Sequence, residues 1–142
     1  MATTRTARTR WQGSLMQGSG QVTMESSGIG TFDVSWPSRA EAANGKTSPE
    51  ELIAAAHSAC FSMALSHALT QGGNEPTSLD TSADVTFQPG EGITGIVIHV
   101  RGTVPGMDRD AFVAAAEGAK ANCPVSKALA GTTITLDADL AP

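Results

Sequence analysis

The sequence predicts an α+β fold in which antiparallel sheet surrounds one long central helix, and three observations predict it. Segments that alternate small polar with apolar residues lie towards both ends of the chain. Between them, from Leu52 to Thr70, no Asp, Glu, Lys or Arg occurs. The resulting order is strands, long helix, strands, helix, strand, the pattern of an α+β protein. With 142 residues and no Pro/Ser-rich or like-charged run to serve as a linker, residues 1–142 are expected to form a single domain. No period repeats.

From about Arg5 to Trp36 the alternation, broken by Gly18, Gly20, Gly28 and Gly30, predicts two or three antiparallel strands, the clearest being Thr31-Phe32-Asp33-Val34-Ser35-Trp36. Pro37 to Thr47 has loop chemistry, with Asn44-Gly45 as a turn signal and Arg39 within the loop. The best helix start in the chain follows. Ser48 is placed as N-cap, Pro49 as the first helical residue, and Glu51 three after the cap to close a capping box. The helix should run to about Gln71, where Gly72-Gly73 stops it. At roughly 30–35 Å it is about as wide as a domain of this size. A helix uncharged all round must be central. Its surface is mostly Ala and Ser, and the chain has only four Phe, two Trp and no Tyr, so the core is thin. Burying the remaining face against a second copy of itself is a natural solution.

Thr81 to Gln88 and Gly95 to Val104 then alternate as strands, with Val85, Phe87, Ile96, Ile98 and Val100 on one face or the other. Asp108 caps a second helix in which Phe112, Ala115, Ala116 and Ala119 recur at helical spacing. Asn122-Cys123-Pro124 interrupts it, Pro124 opens a short further helix ending before Gly131, and Thr132-Ile134-Leu136 reads as a final strand.

Charge narrows the partners. Lys+Arg 9 against Asp+Glu 14 gives a net charge of -5, which argues against nucleic acid or an anionic membrane and favours a small neutral or apolar substrate. The Arg- and Thr-rich start lacks an apolar segment and runs into strand-like sequence, so it reads as folded rather than as a targeting peptide. The charge-free stretch is long enough to span a bilayer, but His57, Ser58, Ser62, Ser66, His67 and Thr70 argue against it. A soluble, cytoplasmic protein is expected. In that compartment two cysteines are less expected to form a stable structural disulfide.

Cys60 falls in the middle of the long helix, where a small core hydrophobe is the ordinary reading. Cys123 falls at or just before the helix opened by Pro124, where unpaired backbone N–H groups favour a thiolate. The spacing leaves three readings open: a redox pair, a metal pair, or two unrelated core residues. Zinc needs about four ligands. His57, Cys60, His67 and Cys123 offer no Cys-x-x-Cys or His-x-x-x-His spacing, so no metal is expected. His57 shares a helix face with Cys60, but nucleophile and base on one rigid helix are poorly placed for a substrate, and His57 reads as a packed or hydrogen-bonded core histidine. Arg39 reads ordinarily as a solvated loop charge and Glu50 as a partner of the helix N-terminus. A mid-helix cysteine, however, has no helix end to lower its pKa, so a nucleophilic Cys60 would need a cation brought to it. An arginine from the loop just before the helix, in this subunit or a partner and held by a glutamate, would supply one.

Two segments carry a family resemblance. Thr47-Ser48-Pro49-Glu50-Glu51-Leu52-Ile53-Ala54-Ala55-Ala56-His57-Ser58-Ala59-Cys60-Phe61-Ser62-Met63-Ala64-Leu65 resembles the signature of the OsmC/Ohr peroxiredoxin-like proteins, and Asn122-Cys123-Pro124-Val125-Ser126-Lys127 resembles their second cysteine box. His57-Ser58-Ala59-Cys60 and Trp36-Pro37-Ser38-Arg39 are more similar to the OsmC branch than to the Ohr branch. The resemblance implies an OsmC-like fold, an intertwined homodimer with active sites at the subunit interface, and thiol peroxidase activity in oxidative or osmotic stress. The substrates it implies are organic hydroperoxides and, less efficiently, hydrogen peroxide. It assigns Cys60 as peroxidatic cysteine, Cys123 as resolving cysteine, and Arg39 with Glu50 as the pair that activates Cys60. The first of these overrules the local argument, by which Cys123 is the more acidic thiol. It also implies an external thiol or dithiol as reductant. No nucleotide or flavin motif is present and no cofactor is expected. The alternative is a redox-sensing or ligand-binding dimer without turnover, which steady-state peroxide consumption separates from an enzyme.

Overall fold

The structure, a computed structural model, describes residues 1–142 and divides into two compact units, Met1–Leu52 and Ile53–Pro142. In the first unit, β1 (Ala7–Gln12), β2 (Ser19–Met24) and β3 (Thr31–Val34) form an antiparallel sheet in sequence order. The expected loop after it is in part helical. Residues Trp36–Ala40 form α1, so Arg39 stands on a short helix rather than in a loop. The reason is local: Ser35 caps the helix, its side chain accepting from the Ser38 N–H while Ser38 Oγ accepts from the Ser35 N–H. Pro37 pre-sets the first turn. The turn at Asn44-Gly45 forms as expected, both residues taking positive φ of 48° and 79°.

Helix α2 (Pro49–Gln71) has the predicted ends. Ser48 Oγ accepts from the Glu51 N–H at 3.1 Å, while the Glu51 carboxylate accepts from the Thr47 hydroxyl. At the far end Asn74 N–H bonds Leu69 C=O and Gly73 N–H bonds Thr70 C=O, with Gly73 at φ 89°, the left-handed turn that glycine allows. The helix is not buried all round within the chain. His57, Phe61, Leu65 and Leu69, spaced four apart, are buried, whereas Ala55, Ala56, Ala59, Met63 and His67 are exposed.

In the second unit, β4 (Ser78–Gln88) and β5 (Gly92–Thr103) pair antiparallel with a bulge between Thr86 and Phe87. Helices α3 (Arg109–Asn122) and α4 (Pro124–Ala128) follow, and β6 (Ile134–Leu140) returns beside β5. That last pairing corrects the expectation of purely antiparallel sheet, because β5 and β6 run parallel, with Ile96 opposite Ile134 and Gly102 opposite Leu140. The two helices between them supply the long crossover that a parallel pair requires. Asp108 caps α3, its Oδ1 accepting from the Ala111 N–H at 2.8 Å. One hydrophobic cluster joins Phe61, Leu65 and Leu69 of α2, Ile96, Ile98 and Val100 of β5, and Phe112, Ala116 and Ala119 of α3. Each large member contributes roughly 1.5–3 kcal/mol by leaving water.

Candidate active site

Cys123 is placed by the proline after it. Pro124 has no N–H with which to continue α3, and it drives Cys123 to an extended ψ of 134°. The chain therefore turns at the cysteine, whose N–H still bonds Ala119 C=O at 2.9 Å while its Sγ accepts from the Ser126 N–H at 3.4 Å. The sulfur is fully buried. Cys60, half-buried on α2, meets it: the two Sγ atoms are 3.2 Å apart and both cysteines are free thiols. The geometry removes one of the three readings the spacing left open. These are not two unrelated core residues, since closing to a bond of about 2.05 Å is a short movement.

The two thiols differ electrostatically. Burial pushes Cys60 up, the Val125 N–H opposes this, and the neighbouring Cys123 sulfur adds to the rise. Burial also acts against charge on Cys123, but it is outweighed by the Ser126 hydroxyl and N–H, the Cys60 thiol and the Val125 N–H, so Cys123 lies below the ordinary thiol range. Of the two thiols, Cys123 is the more readily ionised. A nucleophilic Cys60 needs a further cation.

Ser126 was not singled out from the sequence. Its third position after the Cys123 cap, where a side chain ordinarily reaches back to the cap, is the signal that points to it. Its hydroxyl lies 3.5 Å from Cys123 Sγ and 2.7 Å from His57 Nε2. His57 is fully buried, as expected of a hydrogen-bonded core histidine, and burial lowers its pKa.

In the first unit the structure brings Arg39 and Glu50 together. Arg39 Nε donates to Glu50 Oε1 and Oε2 at 3.0 and 3.2 Å, and its Nη2 donates to Oε2 at 2.9 Å. Glu50 is buried and Arg39 half-buried, so the fork fixes the guanidinium plane. Arg39 also borders an apolar cavity of about 350 Å³ walled by Trp11, Leu15, Val22, Trp36 and Leu52. The four candidate residues thus form two pairs, a dithiol and a carboxylate-held arginine.

An α+β fold whose long helix sets one cysteine against a second, buried one defines a redox class of protein. The chain matches the family described as OsmC-like protein over residues 42–137, and it belongs to that family. It is 44% identical over 133 residues to Peroxiredoxin OsmC of Escherichia coli (strain K12), covering 92% of both chains. It is 35% identical over 96 residues to the organic hydroperoxide resistance protein of Xanthomonas axonopodis pv. citri (strain 306), covering 63% of this chain and 66% of the relative. The crystal structure of the organic hydroperoxide resistance protein OhrB of Bacillus subtilis superposes with a TM-score of 0.67 at 27% identity, covering 96% and 98% of the two chains. The expected OsmC-like fold is thereby established, with the parallel β5–β6 pair as its one departure from antiparallel pairing in the sheets described above.

Proposed function

We propose that this chain is a thiol-dependent peroxidase that reduces organic hydroperoxides to alcohols through Cys60 and Cys123. The observation that carries the reading is the 3.2 Å approach of two free thiols in a member of this family. The Cys60 thiolate attacks the distal oxygen of ROOH, the O–O bond breaks, ROH leaves after taking up a proton, and Cys60 is left as a sulfenic acid. Cys123 then attacks that sulfur, water leaves, and the Cys60–Cys123 disulfide forms. An external thiol or dithiol supplies two electrons and two protons to reopen it. Arg39, oriented by Glu50, supports the Cys60 thiolate and the charge developing on the peroxide oxygens. The apolar wall beside Arg39 supports a substrate with a hydrocarbon body.

We read the working form as a soluble, cytoplasmic homodimer. Every residue of β1 is exposed, and so is an uncharged stripe of α2 through Ala56, Ala59 and Met63. These surfaces support burial against a second copy. The first unit buries only Val22 and Val34 among its hydrophobic residues, a small core of its own, which supports the reading of residues 1–142 as one domain.

The test is intact mass and free-thiol count after one equivalent of cumene hydroperoxide is added to reduced protein. Wild type should lose two hydrogens, Cys123→Ser should gain oxygen on Cys60, and Cys60→Ser should be inert. Three unreactive proteins would overturn the proposal.

A further inference from the structure

His57 Nε2 faces Ser126 Oγ at 2.7 Å, while its Nδ1 is buried with no hydrogen-bond partner. The two neutral tautomers differ in what they leave orphaned. A proton on Nδ1 would bury an unpaired donor, whereas a proton on Nε2 buries only an unpaired lone pair, the less costly of the two. Full burial with Nδ1 unpartnered disfavours the doubly protonated, charged ring, in the same direction as its lowered pKa. Nε2–H therefore donates to Ser126 Oγ. A hydroxyl oxygen that accepts from His57 is free to turn its own hydrogen to the other acceptor in reach, Cys123 Sγ at 3.5 Å. With the Ser126 N–H at 3.4 Å, one residue then sets two donors on this sulfur.

We infer that His57 is a positioning residue for disulfide formation, holding the Ser126 hydroxyl as a donor to Cys123 so that this cysteine meets Cys60 as a thiolate. Ser126 touches the reacting sulfur and is catalytic in this scheme; His57 acts through it. The Cys123 thiolate attacks the sulfur of the Cys60 sulfenic acid, the S–S bond forms, the S–O bond breaks, and the departing hydroxide takes up a proton as water. The proton Cys123 released on ionising completes the balance. The catalytic consequence rests on the peroxidase reading above, but the hydrogen-bond chain does not.

The experiment separates the two. In a Cys60→Ser background, ultraviolet thiolate absorbance against pH titrates Cys123 without any peroxide. Adding Ser126→Ala or His57→Leu should raise the midpoint by about one unit. His57→Gln, which keeps an amide N–H donor, should restore most of the shift. With both cysteines present and below the Cys123 midpoint, the disulfide-forming step should slow by about threefold, because a tenfold loss of thiolate is partly offset by a more nucleophilic sulfur. Ser126→Ala carries the test should His57→Leu fail to fold by circular dichroism. Midpoints equal to the parent, or Gln no better than Leu, would overturn the inference. A chain inert to hydroperoxide overturns the peroxidase reading instead and leaves the titration to decide this one.

Discussion

Glu50 is buried with both carboxylate oxygens committed to Arg39, so removing the arginine does more than delete a charge. Arg39→Ala leaves a buried carboxyl group without its hydrogen-bond donors and should destabilise by about 1–3 kcal/mol, read from the urea midpoint. Adding Glu50→Gln should recover part of that loss, while peroxide reduction stays slowed by roughly 100-fold or more in both variants, the scale of losing one oriented electrostatic donor. Full peroxide turnover in the stable double variant would remove the pair from the chemistry. The Arg39–Glu50 and Cys60–Cys123 pairs were legible as candidates because each lies in a motif or has a chemistry its ordinary reading does not exhaust. The His57–Ser126 contact was not, since its members are 69 residues apart and neither position announces the other.

Elements show the same division between local and remote causes. Both ends of α2 were legible because capping is written within a few residues of each terminus. The parallel pairing of β5 with β6 was not, because alternation specifies a strand and its faces but not the direction of its neighbour. Helix α3 is held to that sheet through a close approach. A Cβ on Gly102 of β5 would come within 2.6 Å of the Phe112 ring, which is fully buried. Gly102→Ala should therefore destabilise by about 1–3 kcal/mol, measured by chemical denaturation, and Phe112→Leu should relieve part of it. On β5, His99 lies between Asp84 of β4 and Asp137 of β6, at 2.8 and 3.2 Å. Its pKa is raised, first by the hydrogen bond to Asp84 and then by that to Asp137. A raised folded-state value means that the imidazolium's contribution is complete below the unfolded value of about 6.5 and is lost as pH rises through the folded value. Melting temperature should thus fall over that window in wild type more than in His99→Gln; parallel profiles would show that the ring adds nothing to stability there. Solvent screening at this exposed site keeps the difference small.

At the scale of the whole molecule, the exposed apolar stripe of α2 is a surface that a second copy could cover. A helix without charge from Leu52 to Thr70 has more apolar surface than one small domain can cover. Only the face through His57, Phe61, Leu65 and Leu69 is buried in the chain, and Met63 on the other side is 72% exposed. Because Met63 contacts so little within the chain, a charge there should leave an isolated protomer's fold almost unaffected while opposing burial against a second copy. Met63→Glu should therefore shift the species seen by sedimentation from dimer to monomer. It should also lower the thermal midpoint and weaken the rise of that midpoint with protein concentration that a dimer shows by mass action. A Met63→Glu protein that stays dimeric at the same concentration would place the subunit contact elsewhere than on this stripe, and the exposed faces of β1 would then be the surface to test next.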